Sequence, residues 1–185
     1  MSKSSEATRS ALIAAAAAAF DDVGFEQTNT NDIARRAGFA PQTFYRHFRD
    51  KLAIFIAVYE GWTLSELDAI ASAASPEDLA RQTWRHHTNT RLFRRTLRDL
   101  SVRNPDVAAA RAASRLRQLE AIRLREPGFA KRSVTAQIGV LLAFERLCDA
   151  IVEGEFERLG AGQEEAIELL ARLVRAATSD RSFKA

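Results

Sequence analysis

The stretch from Asn29 to Lys51, NTNDIARRAGFAPQTFYRHFRDK, decides how this chain folds. Asn29 with Asp32 three residues on makes a capping box, and Ile33, Ala34 and Ala37 follow on one face, so a short helix starts here. Gly38 stands where a helix ends in a left-handed residue, Phe39 and Ala40 fill the turn, and Pro41 has the fixed φ that suits a first helical position. A second short helix follows. Phe44 and Phe48, four apart, form its apolar side, and Gln42, Thr43, Tyr45, Arg46 and His47 face elsewhere. Two short helices about a Gly-containing turn make a helix-turn-helix.

The second helix carries groups suited to the edge of a nucleic acid. A glutamine donates and accepts in one plane against adenine, whereas Thr, Tyr, Arg and His reach phosphate oxygens that fix orientation without reading sequence. Between Thr30 and Lys51, Arg35, Arg36, Arg46, Arg49 and Lys51 stand against Asp32 and Asp50, a surplus of three positive charges that attracts a polyanion.

The run from Thr28 to Lys51 resembles the N-terminal module of the tetracycline-repressor-like (TetR) transcriptional regulators, whose pattern reads roughly T-x-x-x-D-I-A-x-x-A-G-V-S-x-x-T-x-Y-x-H-F-x-x-K. The likeness covers about the first 60 residues, with eleven positions agreeing at fixed spacing. It implies an all-α chain, with a three-helix DNA-binding domain over residues 1–50 and a helical ligand-binding and dimerisation domain over 51–185. The implied partners are a double-stranded operator, a second copy of the chain paired through helices near 129–156 and 163–178, and a small-molecule effector. The implied role is that of a bacterial regulator, most often a repressor. Carried onto this sequence, Pro41, Gln42, Thr43 and Tyr45 face bases or groove, and Thr30, Asn31, Arg46, His47 and Lys51 complete the DNA surface, chiefly by holding phosphate. One departure stands out. The family usually caps the second helix with Ser or Thr, but here the position is Ala40, a loss of about 1 kcal/mol partly offset because Pro41 has no N–H to satisfy.

Outward from this module, 185 residues suffice for one to two domains with a real core. Gly and Pro number only 8 and 4, and no charge-free run approaches the ~18 apolar residues a bilayer span requires. Met1–Arg9 is polar and the Ala-rich run after it reads as a core helix, so no signal peptide is expected and the location is cytoplasmic. The single Cys148 excludes an intramolecular disulfide and reads as a small buried hydrophobe rather than a redox sensor.

About nine helices are expected. Glu6–Val23 is scaffold, ended by Gly24; a long helix from Asp50 to about Ala73 contains Gly61, either a bend or a packing glycine. Ser75-Pro76-Glu77-Asp78 and Asn104-Pro105-Asp106 start two more helices, Phe129 to about Phe156 reads as one strong apolar helix, and Gln163–Thr178 closes the series.

Charge is unevenly distributed. Residues 81–132 carry fourteen Lys or Arg against four acids, while residues 52–80 carry five acids and no base. Arg111 and Arg115, from that basic segment, are candidates for clamping an anionic ligand, the alternative being pairing with acidic helices. By family likeness, Trp62, Trp84, His86, His87 and Phe93 are further candidates for a ligand cavity, against core packing as the plain alternative. His86 and His87 are adjacent and point about 100° apart on a helix, a poor arrangement for a shared metal.

No cofactor or metal is expected. No Ser-His-acid spacing, Gly-rich phosphate loop or H-E-x-x-H is present, so no catalytic residue is assigned. The rival functions are a DNA-packing protein without sequence choice and, more remotely, a small-molecule-binding protein or enzyme with no DNA role.

Overall fold

A computed structural model describes residues 3–179. Among them are eleven helices and no strand: α1 (Lys3–Gln27), α2 (Thr30–Arg36), α3 (Pro41–His47), α4 (Lys51–Ser72), α5 (Pro76–Asn89), α6 (Arg91–Arg103), α7 (Pro105–Arg125), α8 (Pro127–Ala130), α9 (Val134–Val152), α10 (Glu155–Arg158) and α11 (Gln163–Thr178). The all-α expectation holds. Nine of these helices have seven residues or more, and α8 and α10 are single turns of four.

Two boundaries differ from the sequence reading. The segment 129–156 is not one helix, because Ser133 starts α9 afresh with its hydroxyl accepting from the Ala136 N–H, and Gly154 in the left-handed region (φ 69°) separates α10. Gly24 (φ 81°, ψ 166°) interrupts α1 rather than ending it, and helical turns resume as far as Gln27. The helix α4, by contrast, runs unbroken through Gly61, where an added Cβ would meet open space.

By packing, the chain forms two compact units, residues 1–63 with 92–111 and residues 64–91 with 112–185. The packing units follow a different line from the boundary expected near residue 50, because α6 and the start of α7 pack with the N-terminal helices.

The first unit is built on aromatic burial. Leu12, Ala16 and Phe20 of α1 meet Ile33 and Ala34 of α2, Phe44 of α3, and Ile54, Phe55 and Val58 of α4, all essentially inaccessible. From α6, Phe93 stacks on Phe55 with centroids 4.2 Å apart and planes 10° from parallel, and Trp62 lies 4.0 Å from Phe93. Each buried Phe of this kind contributes enough that truncation to Ala costs about 3–5 kcal/mol. This rigid cluster is the platform on which α2 and α3 are held.

The second unit has two cores. Ala80 of α5, Cys148 and Ile151 of α9, and Ile167 and Leu170 of α11 form one, with Trp84 packed at its edge. Leu119 of α7, Phe129 of α8, Leu141 of α9 and Ala177 of α11 form the other. Gly128 allows α8 to approach the end of α11, since a Cβ there would collide with the Thr178 carbonyl. One side of α9 is left bare: Val134, Ile138 and Leu142, four apart, are 61%, 41% and 40% exposed, and Ala136, Gly139 and Ala143 lie exposed around them. No helix among the described residues is long and apolar enough to cross a membrane.

Candidate nucleic-acid interface and C-terminal cavity

The start of α2 is fixed as its sequence dictates. The Asn29 side chain accepts from the Asp32 N–H at 2.9 Å, and its own amide donates to the Asp32 carboxylate. At the other end Gly38 (φ 79°) places the Phe39 N–H on the Ala34 carbonyl (2.9 Å) and its own N–H on the Arg35 carbonyl (3.0 Å). That is a Schellman ending, and the positive φ explains why glycine stands there. The chain then turns directly into α3, whose N-cap Ala40 makes no side-chain hydrogen bond and whose first position is Pro41.

Within α3, burial separates two sets of residues. Phe44 and, at the C-cap, Phe48 are buried with their rings 5.7 Å apart, while Pro41, Gln42, Tyr45 and Arg46 are exposed and Thr43 and His47 are half-buried. Two of the expected residues meet directly: the Thr30 and Tyr45 hydroxyls are 2.9 Å apart, tying the start of α2 to the middle of α3. Asn31 is exposed on α2, and its carbonyl accepts from Arg35 Nε. Arg35 and Arg36 are paired with Asp32 and Asp22, and Arg49 with Asp50 and Asp106. Arg46 instead contacts only the Thr43 hydroxyl, at 3.5 Å, and has no acidic partner among the described residues. Its charge is therefore available to an incoming anion.

Lys51 is placed differently from the rest of this surface. Its Nζ donates to the Phe25 carbonyl at 2.6 Å, to Thr28 at 2.9 Å and to Glu26 at 3.4 Å, and it lies 4.2 Å from the Phe25 ring centroid. The ammonium thus closes the C-terminal end of α1, where helix carbonyls attract a cation. Burial lowers its pKa below the usual lysine value, and the Glu26 charge opposes that shift.

In the second unit, six helices enclose a cavity of about 130 Å³, close to the size of an engineered cavity, roughly 150 Å³, that binds benzene. Ile70 of α4, Leu79 of α5, Ile122 of α7, Phe129 of α8, Phe144 of α9 and Val174 of α11 supply apolar wall. Its polar residues are connected. Gln118 Nε2 donates to Glu66 Oε2, His87 Nε2 stands 3.8 Å from Glu66 Oε1, and His87 Nδ1 lies 3.2 Å from Asp149 Oδ1. Arg115 forks onto Glu145, a cavity residue, with Nε at 3.2 Å and a terminal nitrogen at 2.6 Å. Arg125, also in the wall, donates to the carbonyls of Ile70 and Ala73 and lies 3.2 Å from Glu126.

Of the residues anticipated for a ligand site, His87 lines this cavity and Arg115 stands behind it, joined to Glu145. His86 lines a neighbouring recess with Ser65, Gln82 and Arg85, and Trp84 packs in the α5–α9–α11 core. Trp62, Phe93 and Arg111 lie in the first unit, the first two in its aromatic core and Arg111 donating to the Ser101 hydroxyl. Sequence reading missed Glu66, Gln118 and Glu145. A signal existed in Gln118, an amide adjoining Leu119 and four residues before Ile122.

The architecture and the presented α3 define a helix-turn-helix protein with a helical C-terminal body. The model of the tetR family of bacterial regulatory proteins matches residues 12–58, the helix-turn-helix part of the chain. Solved structures share the whole fold at low identity. A TetR-family regulator from Marinobacter aquaeolei VT8 aligns with a TM-score of 0.66 at 20% identity, covering 98% of this chain and 100% of its own. A TetR regulator from Rhodococcus sp. RHA1 gives 0.61 at 18%, covering 96% and 99%. Thermus thermophilus FadR, a TetR-family repressor in complex with lauroyl-CoA, gives 0.59 at 20%, covering 96% and 98%. No curated protein matches the sequence.

Proposed function

We propose that this chain is a cytoplasmic transcriptional repressor that binds a palindromic operator as a homodimer and is released by a small-molecule effector. The observation that carries the reading is the two-sidedness of α3, anchored by buried Phe44 and Phe48 while Pro41, Gln42, Tyr45 and Arg46 face outward. In this reading Gln42 pairs with a base edge, Pro41, Thr43 and Tyr45 fill the groove, and Thr30, Asn31, Arg46 and His47 orient the module on the backbone. The role is one of binding and not of catalysis.

The bare α9 face supports the dimer. Val134, Ile138 and Leu142 present an apolar stripe that a second copy would cover through α9 and α11. Twofold symmetry would set two α3 helices one DNA turn apart, about 34–36 Å. The cavity supports the effector, as does the lauroyl-CoA held by the Thermus FadR of like fold. Release would be a population shift: α4 contributes residues 51–63 to one unit and 64–72 to the other, and a ligand favouring one arrangement of its C-terminal part would disfavour the operator spacing.

The test is selection of bound sequences from random DNA by the purified protein at two salt concentrations. A palindrome with half-sites one turn apart is the expected result. Enrichment of no sequence, with binding that only falls with salt, would replace the repressor by a DNA-packing protein.

A further inference from the structure

Gln118 is 7% exposed and lines the cavity, and its Oε1 is buried without a hydrogen-bond partner, while its Nε2 is committed to Glu66. Rotating the amide gives no relief, because the oxygen would then face a carboxylate oxygen and the nitrogen would be left unpaired. A buried acceptor left empty is costly, and a ligand group that satisfies it recovers that cost on binding. The charges of the wall point the same way. Glu66, Glu126 and Glu145 line the cavity against the single guanidinium of Arg125, whose donors already serve the Ile70 and Ala73 carbonyls, and His87, which faces Asp149. Arg115, also on α7, is forked onto Glu145. An anion entering here would meet carboxylates and no uncommitted wall guanidinium.

We propose that the cavity selects a small, mostly apolar molecule that donates a hydrogen bond and carries no negative charge: an alcohol, a phenol or an amine. The donor would engage Gln118 Oε1, and the apolar part would lie against Ile70, Ile122, Phe144 and Val174. The inference rests on reading this cavity as the effector site. It narrows the ligand class away from the carboxylates and phosphates that an arginine-rich chain would suggest.

Three ring compounds of matched size test it by calorimetric titration into the full-length protein: benzyl alcohol, benzylamine and benzoate. The alcohol and the amine should each bind at least tenfold more tightly than benzoate. A smaller margin for both, a preference for benzoate, or no heat from any of the three at 10 mM overturns the proposal. A second arm uses toluene and the Gln118→Leu variant, which should lose about tenfold in alcohol affinity while its toluene affinity is kept; equal alcohol binding by the variant and the native protein also overturns it. The native titrations stand even if that variant does not fold. An operator recovered by DNA selection together with failed titrations would sink the ligand inference alone. Failed DNA selection together with the expected titrations would sink the regulator reading and leave the cavity chemistry standing.

Discussion

Lys51 belongs by sequence to the DNA-facing set and by structure to the closure of α1, and the two placements predict opposite behaviour on substitution. Replacing it by Met keeps the aliphatic stem over Phe25 and removes the ammonium from the carbonyls of Phe25, Glu26 and Thr28. A charged donor's hydrogen bonds contribute about 1.5–3 kcal/mol, and the cation also offsets the negative end of α1. The cost is held near the lower end because Glu26 is exposed and the freed carbonyls of that turn admit water in part. With a urea m-value of about 2 kcal/mol per molar, Lys51→Met should lower the unfolding midpoint by roughly 1 M at fixed protein concentration. DNA affinity should fall with it, but the slope of log affinity against log salt should not change, because no phosphate contact is lost. Urea denaturation followed by circular dichroism, paired with fluorescence-anisotropy titrations at several salt concentrations, reads both quantities. An unchanged midpoint with a salt slope reduced by about one would refute the structural placement and restore Lys51 to the phosphate surface.

Four further outcomes are expected. Gln42→Ala should relax sequence choice by about 1–3 kcal/mol between selected and random DNA, whereas Arg46→Ala should weaken all sequences alike and reduce the salt slope by about one; anisotropy on both DNAs separates them. Gly128→Ala should destabilise by about 1–3 kcal/mol, since the new methyl meets the Thr178 backbone and α8 must move; the thermal midpoint reports it. Asp21 has a buried oxygen without a partner, and burial, aided by Asp22, raises its pKa above the usual carboxylate value. A raised folded pKa means its stabilising contribution is present below the unfolded value and lost as pH rises through the folded one. Asp21→Asn should therefore be more stable than the native protein at pH 7, with the gap closing toward pH 4 in denaturant titrations.

What was legible in the sequence was local. Asn29 with Asp32, Gly38, uncapped Ala40 and the Phe44/Phe48 pair each act within a few residues, and each does in the structure what its chemistry dictates. The continuous apolarity of 129–156 concealed two breaks, because hydrophobic pattern is blind to a serine cap within a basic turn and to a glycine in the left-handed region. The cavity was scarcely legible. Its wall is drawn from α4, α5, α7, α8, α9 and α11, and the partnership of Glu66 with Gln118 spans 52 positions, which no spacing rule reaches. Lys51 was legible only in part: the sequence places it just past α3, but the direction of its side chain depends on the carbonyls that end α1.

The chain has two tryptophans, Trp62 against Phe93 in the first unit and Trp84 at the edge of the α5–α9–α11 core in the second. Nature has thus supplied one fluorophore per unit. In Trp62→Phe the tryptophan emission comes from the cavity-bearing unit alone, and in Trp84→Phe from the unit that holds the helix-turn-helix alone. A ligand added to the second protein makes the spectrum a direct record of whether occupancy of one half is felt by the other, with no label attached and no operator needed.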